Sequence, residues 1–354
     1  MQKKIIALAI AAAISAPAFA DNANVTVYGK AFLNIESVNN DKAAVSNATR
    51  VQTNASRFGV KGKEDLGDGL SGIYQFEAQF DADGSGAASA TKNGGFGNGT
   101  RNSGVGLEGG FGTVIVGNWD TPFKIAHNKV ELFDNTTVFS SINLIGRAGG
   151  ADTINSNYNT RQANDVQYWS PSLGGVKLTV SYSPDEAPTA TQNKSLASLA
   201  ATYDVEDIYV SIAGESRADV NFSGKTDSAQ RLVARYTIGD FWLGLTAENI
   251  TVNKTAALSY TQNNAELVGE YKFGSSKIAL SYAKAGETSV AATGANQTSL
   301  RYGYGLSKRT ELFAAYTALK NDTAATYGFN AGTTYGTNAG STQSAFGTGL
   351  IVSF

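Results

Sequence analysis

Apolar and polar residues alternate one by one along much of this chain, in runs of about ten residues. Between Val25 and Ser37 the two parities separate cleanly: Val25, Val27, Ala31, Leu33 and Ile35 against Thr26, Lys30, Asn34 and Glu36. Similar runs lie at 70–81, 176–183, 231–238, 266–273, 278–282, 300–306 and 346–354. Successive residues of a strand point to opposite faces, so the pattern predicts strands with one oily and one polar face. Ten residues is the length that a tilted strand needs to cross a membrane.

The connections between these runs alternate in length. Short Gly- and Asp-rich turns are predicted at 65–69, 109–112, 171–175, 204–207, 238–240, 273–276 and 307–309. Longer polar segments are predicted at 39–55, 82–100, 120–160, 184–193, 217–227, 251–263, 286–297 and 321–343. Short turns on one rim and long loops on the other are typical of outer-membrane barrels, and seven turns with eight loops predict about sixteen antiparallel strands. A closed barrel of that size has a water-filled lumen and no free sheet edge.

The N-terminus is typical of an exported protein. Lys3 and Lys4 precede an apolar run from Ile5 to Ile14 that ends in Ala18-Phe19-Ala20, the pattern of a cleaved signal peptide. We therefore expect residues 1–20 to be removed and residues 21–354 to form one all-β transmembrane barrel domain. No later apolar stretch approaches eighteen residues, and the mean hydropathy is −0.18, which excludes helical spans after the signal.

The composition narrows the possible chemistry. The formal net charge is −2, which argues against a nucleic-acid partner. The chain contains 0 Cys and 1 His, His127, so thiolate metal sites and a Cys nucleophile are excluded. No Gly-x-Ser-x-Gly context accompanies His127. The sequence therefore predicts neither an enzyme nor a metal or cofactor site, and His127 is interpreted as a polar loop residue.

Several segments resemble those of the general diffusion porins of Gram-negative outer membranes. They are Asn24-Val25-Thr26-Val27-Tyr28-Gly29-Lys30, Ser56-Arg57-Phe58-Gly59-Val60-Lys61-Gly62, Glu64-Asp65-Leu66-Gly67-Asp68-Gly69-Leu70, Gly117-Asn118-Trp119-Asp120-Thr121-Pro122-Phe123 and the terminal Phe354. The resemblance runs over nearly the full length of the mature chain. It implies a homotrimer of sixteen-stranded barrels whose third long loop folds inward to narrow each pore.

The resemblance also implies which residues narrow the pore. In that family a basic wall faces an acidic third loop, and the matching basic residues here are Lys30, Arg57, Arg101 and Arg161. Strand parity independently places Lys30 and Arg57 on the lumen side, where a charge avoids the cost of about 2–4 kcal/mol of facing lipid. The acidic candidates in the third loop are Asp120, Glu131 and Asp134, with Asp152 a weaker one. Phe354 matches the C-terminal aromatic residue that, in this family, the barrel-assembly machinery recognises.

These observations predict a general diffusion porin that passes ions and small hydrophilic solutes across the outer membrane. The expected partners are two further copies of the chain, outer-membrane lipids with lipopolysaccharide, the barrel-assembly machinery and the transported solutes. Three alternatives remain open at this stage. They are a substrate-selective channel, a barrel enzyme such as a lipase or protease, and an adhesive barrel with a plugged lumen.

Overall fold

The computed structural model describes residues 23–42, 47–83, 96–149, 156–329 and 338–354. The signal peptide predicted at residues 1–20, the candidate Asp152 and most of the segment 82–100 lie outside the described residues.

Sixteen antiparallel strands form one closed barrel within this part of the chain. The strands are β1 (Ala23–Asn40), β2 (Asn47–Thr53 and Arg57–Gly67), β3 (Leu70–Phe80), β4 (Phe96–Thr100 and Ser103–Gly109), β5 (Gly112–Asp120), β6 (Arg161–Trp169), β7 (Val176–Ser183), β8 (Leu196–Val205), β9 (Ile208–Ala218), β10 (Thr226–Ile238), β11 (Phe241–Asn253), β12 (Ser259–Phe273), β13 (Ser276–Ala285), β14 (Ala295–Gly305), β15 (Thr310–Asn321) and β16 (Thr342–Ser353). Each strand pairs with the next along the chain. Because β1 also pairs with β16, the sheet closes and has no free edge.

The predicted alternation of faces is confirmed along the strands. In β12, Leu267 and Tyr271 are 56% and 50% exposed on the outside, whereas Glu266 and Glu270 are buried inside. The outward residues of β1 and β13 follow the same parity, with Val25, Val27, Ile35, Ile278, Leu280 and Tyr282 exposed. The outer surface is therefore apolar and the lumen wall polar, as a membrane-spanning barrel requires.

The lengths of the connections also agree with the sequence pattern, with two corrections. The segment predicted at 251–263 shortens to 254–258, because β11 runs to Asn253 and β12 starts at Ser259. Asp68 and Gly69 close the turn between β2 and β3 with φ values of 51° and 76°, the left-handed conformation that a two-residue hairpin turn needs. In the first long segment, predicted at 39–55, residues 39–40 end β1 and residues 47–53 pair with β1, so most of the described part of this segment is strand. That described part is mostly polar, with Val51 its only large exposed apolar residue, and alternation alone therefore misses it.

The C-terminus completes the closure of the barrel. The backbone N–H of Gly29 donates to the Phe354 carbonyl at 3.0 Å, and the Phe354 N–H donates back to Gly29 at 3.1 Å. The Phe354 ring lies against Gly29, where a side chain would collide with it. Phe354 is half exposed to the outside, so its ring is available to lipid or to another protein.

Deletion of Phe354 is expected to lower the yield of assembled protein. The truncated chain loses the two backbone hydrogen bonds between Phe354 and Gly29 and the aromatic that the resemblance assigns to barrel assembly. The readout is the amount of heat-modifiable oligomer in outer-membrane fractions, with Ser353→Ala as the matched control. A normal oligomer yield from the truncated chain would contradict the prediction.

Candidate pore constriction

The segment between β5 and β6, residues 121–160, is named L3 below, and its described parts, 121–149 and 156–160, lie in the lumen. It opens with a short helix, α1 (Pro122–His127), directly after β5. The Thr121 hydroxyl caps α1 by accepting from the Lys124 N–H at 3.3 Å, and Pro122 occupies the first turn, where its missing N–H is not needed. No helix among the described residues is long and apolar enough to cross a membrane.

A buried ion pair fastens L3 to the wall. Arg231 of β10 donates from Nε and Nη2 to Glu248 Oε2 of β11 at 2.9 and 2.7 Å. Its Nη1 donates to the Phe123 carbonyl of α1 at 3.0 Å, and its guanidinium stacks 4.0 Å from the centroid of the Phe123 ring. The second Glu248 oxygen accepts from the Gly146 N–H, further along L3. One ion pair thus holds both the start and the middle of the loop.

A second buried cluster joins α1 to β12. His127 Nε2 lies 2.7 Å from Glu266 Oε2, and both side chains are buried. Glu131 lies one turn further on and accepts from the Ser140 hydroxyl at 2.7 Å. Burial raises the pKa of Glu131 to about 7, with the Glu266 carboxylate adding to this effect and His127 opposing it. The lone histidine predicted as a polar loop residue is therefore part of the anchor of L3.

Apolar packing fixes the rest of the loop. Phe133, Phe139 and Leu144 of L3 belong to one buried cluster with Phe32 of β1 and Phe313 of β15. Polar side chains of the wall donate hydrogen bonds to backbone carbonyls of L3. Arg301 Nη1 donates to the Leu132 carbonyl at 3.0 Å, and Gln297 Nε2 donates to the Val138 carbonyl at 3.1 Å. L3 therefore fills the side of the lumen next to β8–β15 and leaves an opening toward β2–β6.

That opening is a polar cavity of about 410 Å³. Its wall side is formed by Arg57, Glu77, Arg101, Asn102 and Asp120, and its loop side by Asn128, Glu131, Leu132, Asp134 and Asn135. Charged groups thus face each other across a narrow passage, which is the geometry of an electrostatic filter.

The wall side of the cavity pairs its arginines with two carboxylates. Glu77 of β3 binds Arg101 and lies 3.7 Å from Arg57 Nε. Asp120, the last residue of β5, lies 3.0 Å from Arg161 Nη2 and 2.7 Å from Lys124 Nζ. The sequence placed Asp120 on the acidic loop side, but the structure places it within the basic wall. Its strand pairs with β6 at Arg161, which brings the two side chains together.

Lys30 and Asp134 connect the wall to the loop. Lys30 of β1 is buried and forms an ion pair with Asp134 of L3. Burial alone would raise the pKa of Asp134, but Lys30, with Arg301 and Arg57 nearby, holds it below its ordinary value. The carboxylate that the sequence favoured for the loop is therefore charged and lies at the cavity edge.

The structure brings the four predicted basic residues and the three predicted acids into one region of the lumen, although not in two facing rows. Sequence reasoning missed Glu77, Asn102 and Lys124. Glu77 could have been found, because it lies on the polar parity of β3. Asn102 accepts a hydrogen bond from Arg161 Nε at 2.6 Å and lies at the break between the two segments of β4. The sequence carries no signal for Asn102 or for Lys124.

Among the described residues no group of three His, Cys, Asp or Glu side chains could hold a metal ion.

The closed barrel, polar inside and narrowed by an inward loop, defines the class as a pore-forming outer-membrane protein. A family model described as Gram-negative porin matches residues 7–324. Outer membrane porin protein 32 of Delftia acidovorans is 28% identical over 345 residues, covering 94% of this chain and 93% of that protein. Major outer membrane protein P.IB of Neisseria lactamica is 27% identical over 329 residues, covering 88% and 91%.

Solved structures give the same result. The anion-selective porin from Comamonas acidovorans superposes with a TM-score of 0.77 at 25% identity, covering 94% of this chain and 100% of that one. A trimer form of OmpT, an outer membrane protein of Vibrio cholerae, shares the fold with a TM-score of 0.65 at 18% identity, covering 94% of this chain and 100% of that one. The chain belongs to the Gram-negative porin family. It is an outer-membrane β-barrel that forms a passive diffusion channel.

Proposed function

We propose that this channel passes small hydrophilic solutes without tight binding and prefers anions to cations. The observation that carries the proposal is the charge around the L3 opening. Arg301, beside the opening, is paired with Glu311. Among the described residues five further cationic side chains lie at or beside the opening, against the carboxylates of Glu77, Asp120 and Asp134: Lys30, Arg57, Arg101, Lys124 and Arg161. Glu131 adds only a partial negative charge at neutral pH, because its pKa is raised to about 7.

The local excess of positive charge acts where L3 narrows the lumen. The whole chain carries a formal net charge of −2, so a positive constriction requires charges to be sorted within the lumen. A narrow, low-dielectric passage focuses the field of its fixed charges and raises the local concentration of counter-ions. Anions are therefore stabilised at the opening, whereas cations meet a barrier there.

The pairing of these charges explains why tight binding is not expected. Arg101 and Arg161 each contact a wall carboxylate, and Lys30 contacts Asp134. A passing anion competes with these internal partners and is held only weakly, as conduction requires. Selection by size and charge then replaces affinity.

The assembly of the channel completes the proposal. Residues 1–20 direct export and are removed, the barrel-assembly machinery inserts residues 21–354, and three copies associate in a membrane whose outer leaflet contains lipopolysaccharide. The trimer form of the related fold from Vibrio cholerae supports the oligomeric part. The half-exposed Phe354 supports the recognition step at assembly.

The test is the reversal potential of the purified protein in a planar bilayer across a KCl gradient. We expect the sign of the potential to show chloride as the more permeant ion, and the preference to decline as salt rises and screens the fixed charges. A potential of zero, or one that indicates potassium, would overturn the anion preference. Conductance that saturates with one solute would instead indicate a substrate-selective channel.

A further inference from the structure

Two lysines face the membrane rather than the lumen. Lys284 of β13 is exposed between the buried Ala283 and Ala285, and Lys320 of β15 is exposed between the buried Leu319 and Asn321. Parity therefore places both ammonium groups on the lipid side, and no ion pair within the described residues includes either of them. A cation facing hydrocarbon at mid-depth is costly, so their depth matters.

Both lysines lie at the extracellular edge of the apolar belt. β13 ends at Ala285 before the 286–294 loop, and β15 ends at Asn321 before the 322–341 connection, and long loops mark the extracellular rim. One pleat below Lys284, Tyr282 is 47% exposed on the same face. Outward tyrosines mark the level where hydrocarbon meets headgroups. The ammonium groups therefore reach the headgroup layer of the outer leaflet.

The sheet register places the two lysines side by side. Lys284 is paired with Asn296 of β14, and Asn296 is paired with Lys320. With neighbouring strands about 4.8 Å apart, the two lysine Cα atoms are separated by about 10 Å. The half-buried Asn296 amide lies between them. Two cations with an amide between them suit a ligand that carries two separated phosphates.

A depression in the outer wall continues from Lys284 toward β9. It encloses about 750 Å³, and its outward-facing lining combines apolar Ile212, Leu232, Ala247 and Ala265 with polar Gln230, Asn249, Asn263 and Lys284. The Asn249 and Asn263 side chains are joined at 2.8 Å. The small side chains of Ala247 and Ala265 leave this depression open. Two residues away on the same strands, the outward positions are occupied by the larger Leu245 and Leu267.

We propose that Lys284, Asn296, Lys320 and this depression form a binding site for a bis-phosphorylated glycolipid of the outer leaflet. The lysines bind its two phosphates, the Asn296 amide meets the sugars that lie between the phosphates, and one acyl chain lies over Ala247 and Ala265, beside the Asn249 and Asn263 amides. The site rests on the membrane placement in the proposed function and is independent of the anion preference. Charge complementarity identifies the occupant, because clustered outward lysines at a membrane surface attract anionic lipid headgroups.

A second copy of the chain fits this surface less well. An isologous contact with a second copy would place the same lysines opposite one another, and burying unpaired ammonium groups costs several kcal/mol each. Among the described residues the outward faces of β9–β15 carry no carboxylate. The exposed carboxylates of Glu287 and Asp322 lie in the loops that follow β13 and β15, but they form no ion pair with either lysine. The lipid is therefore the occupant that the charges favour.

The experiment titrates the folded protein in detergent with bis-phosphorylated lipid A and counts bound lipid by native mass spectrometry. The test variant is Lys284→Gln with Lys320→Gln. The matched control is Lys63→Gln with Lys272→Gln, which removes the same charge from exposed lysines on the lumen side. We expect the test variant to bind lipid A at least about tenfold more weakly, since each surface lysine contributes substantially to anionic lipid binding. The control should bind as the wild type does.

Three further arms identify the ligand and separate this site from the pore. Monophosphoryl lipid A should bind with intermediate affinity, whereas phosphatidylethanolamine and free pyrophosphate should bind at least tenfold more weakly than lipid A. The test variant should keep the wild-type reversal potential, because both lysines face away from the lumen. Wild-type lipid A affinity in a folded, conducting test variant would overturn the proposal, as would loss of the trimer without loss of lipid binding.

Discussion

Replacing Arg57, Arg101 and Arg161 together by glutamine is expected to convert the channel from anion-preferring to cation-preferring. Two lysines, Lys30 and Lys124, would then remain against three carboxylates at the L3 opening, because Arg301 stays paired with Glu311. Glu77 would lose both of its arginine partners. Potentials of several kT act in such narrow charged passages, so we expect the chloride-to-potassium permeability ratio to fall on the order of tenfold. The reversal potential across a KCl gradient should change sign.

The matched control removes three positive charges from the lumen away from the opening. Lys63, Lys177 and Lys272 are exposed near the turn-bearing rim of the barrel, and their replacement by glutamine should shift the ratio much less. A milder variant, Arg57→Gln with Arg161→Gln, keeps Arg101 paired with Glu77 and should move selectivity in the same direction by a smaller amount. An equal shift from the control set would show that total lumen charge, and not the L3 opening, sets selectivity.

The barrel could be predicted from the sequence because its determinants are local. A strand that separates lipid from water must alternate at every residue, and short turns join strands that are adjacent in the sheet. Even β4, with its glycine-rich pattern, takes its place because β3 and β5 define the space between them. The first segment of β2, Asn47–Thr53, was missed because most of its residues are polar and the alternation is lost.

The constriction could be predicted only in part, because its contacts join residues far apart in the chain. Lys30 and Asp134 are 104 residues apart, and His127 and Glu266 are 139 apart. Parity places Lys30 in the lumen, but only the path of L3 determines which carboxylate it meets. Asp120 illustrates the limit: its position at the start of the loop suggested the acidic side, whereas its place in β5 makes it a partner of Arg161.

The sign of the net charge at the opening could not be predicted from the sequence either, because it also depends on contacts between residues far apart in the chain. It depends on Glu77 and Lys124, which carry no motif, and on the raised pKa of Glu131, which results from the burial of this L3 residue in the folded barrel. Counting charges along the chain gives an acidic protein. Counting them at one depth of the lumen gives a basic opening.

Replacement of Arg231 by methionine is expected to release L3 from the wall. The substitution leaves the Glu248 carboxylate buried without its cation and removes the bond to the Phe123 carbonyl. Removal of one partner from a buried ion pair costs about 3–5 kcal/mol. Glu248 also accepts a hydrogen bond from the Gly146 N–H of L3. We therefore expect the lost stability to loosen the attachment of L3 to the wall. Single-channel traces should become noisy, with transitions to other conductance levels, and L3 should be cleaved faster by added protease.

The double variant Arg231→Met with Glu248→Leu separates the anchor from general damage. When both charges are removed, no buried carboxylate is left unpaired, and apolar side chains of similar volume can pack against Phe123 and the wall. We therefore expect the double variant to be quieter and more protease-resistant than Arg231→Met alone, although it still lacks the hydrogen bond to Gly146. A non-additive double-mutant cycle of this sign would show that the ion pair fixes the loop. If the two substitutions instead added, the loop would be held by its apolar cluster around Phe133 and Phe139, and the ion pair would contribute little to keeping the pore narrow.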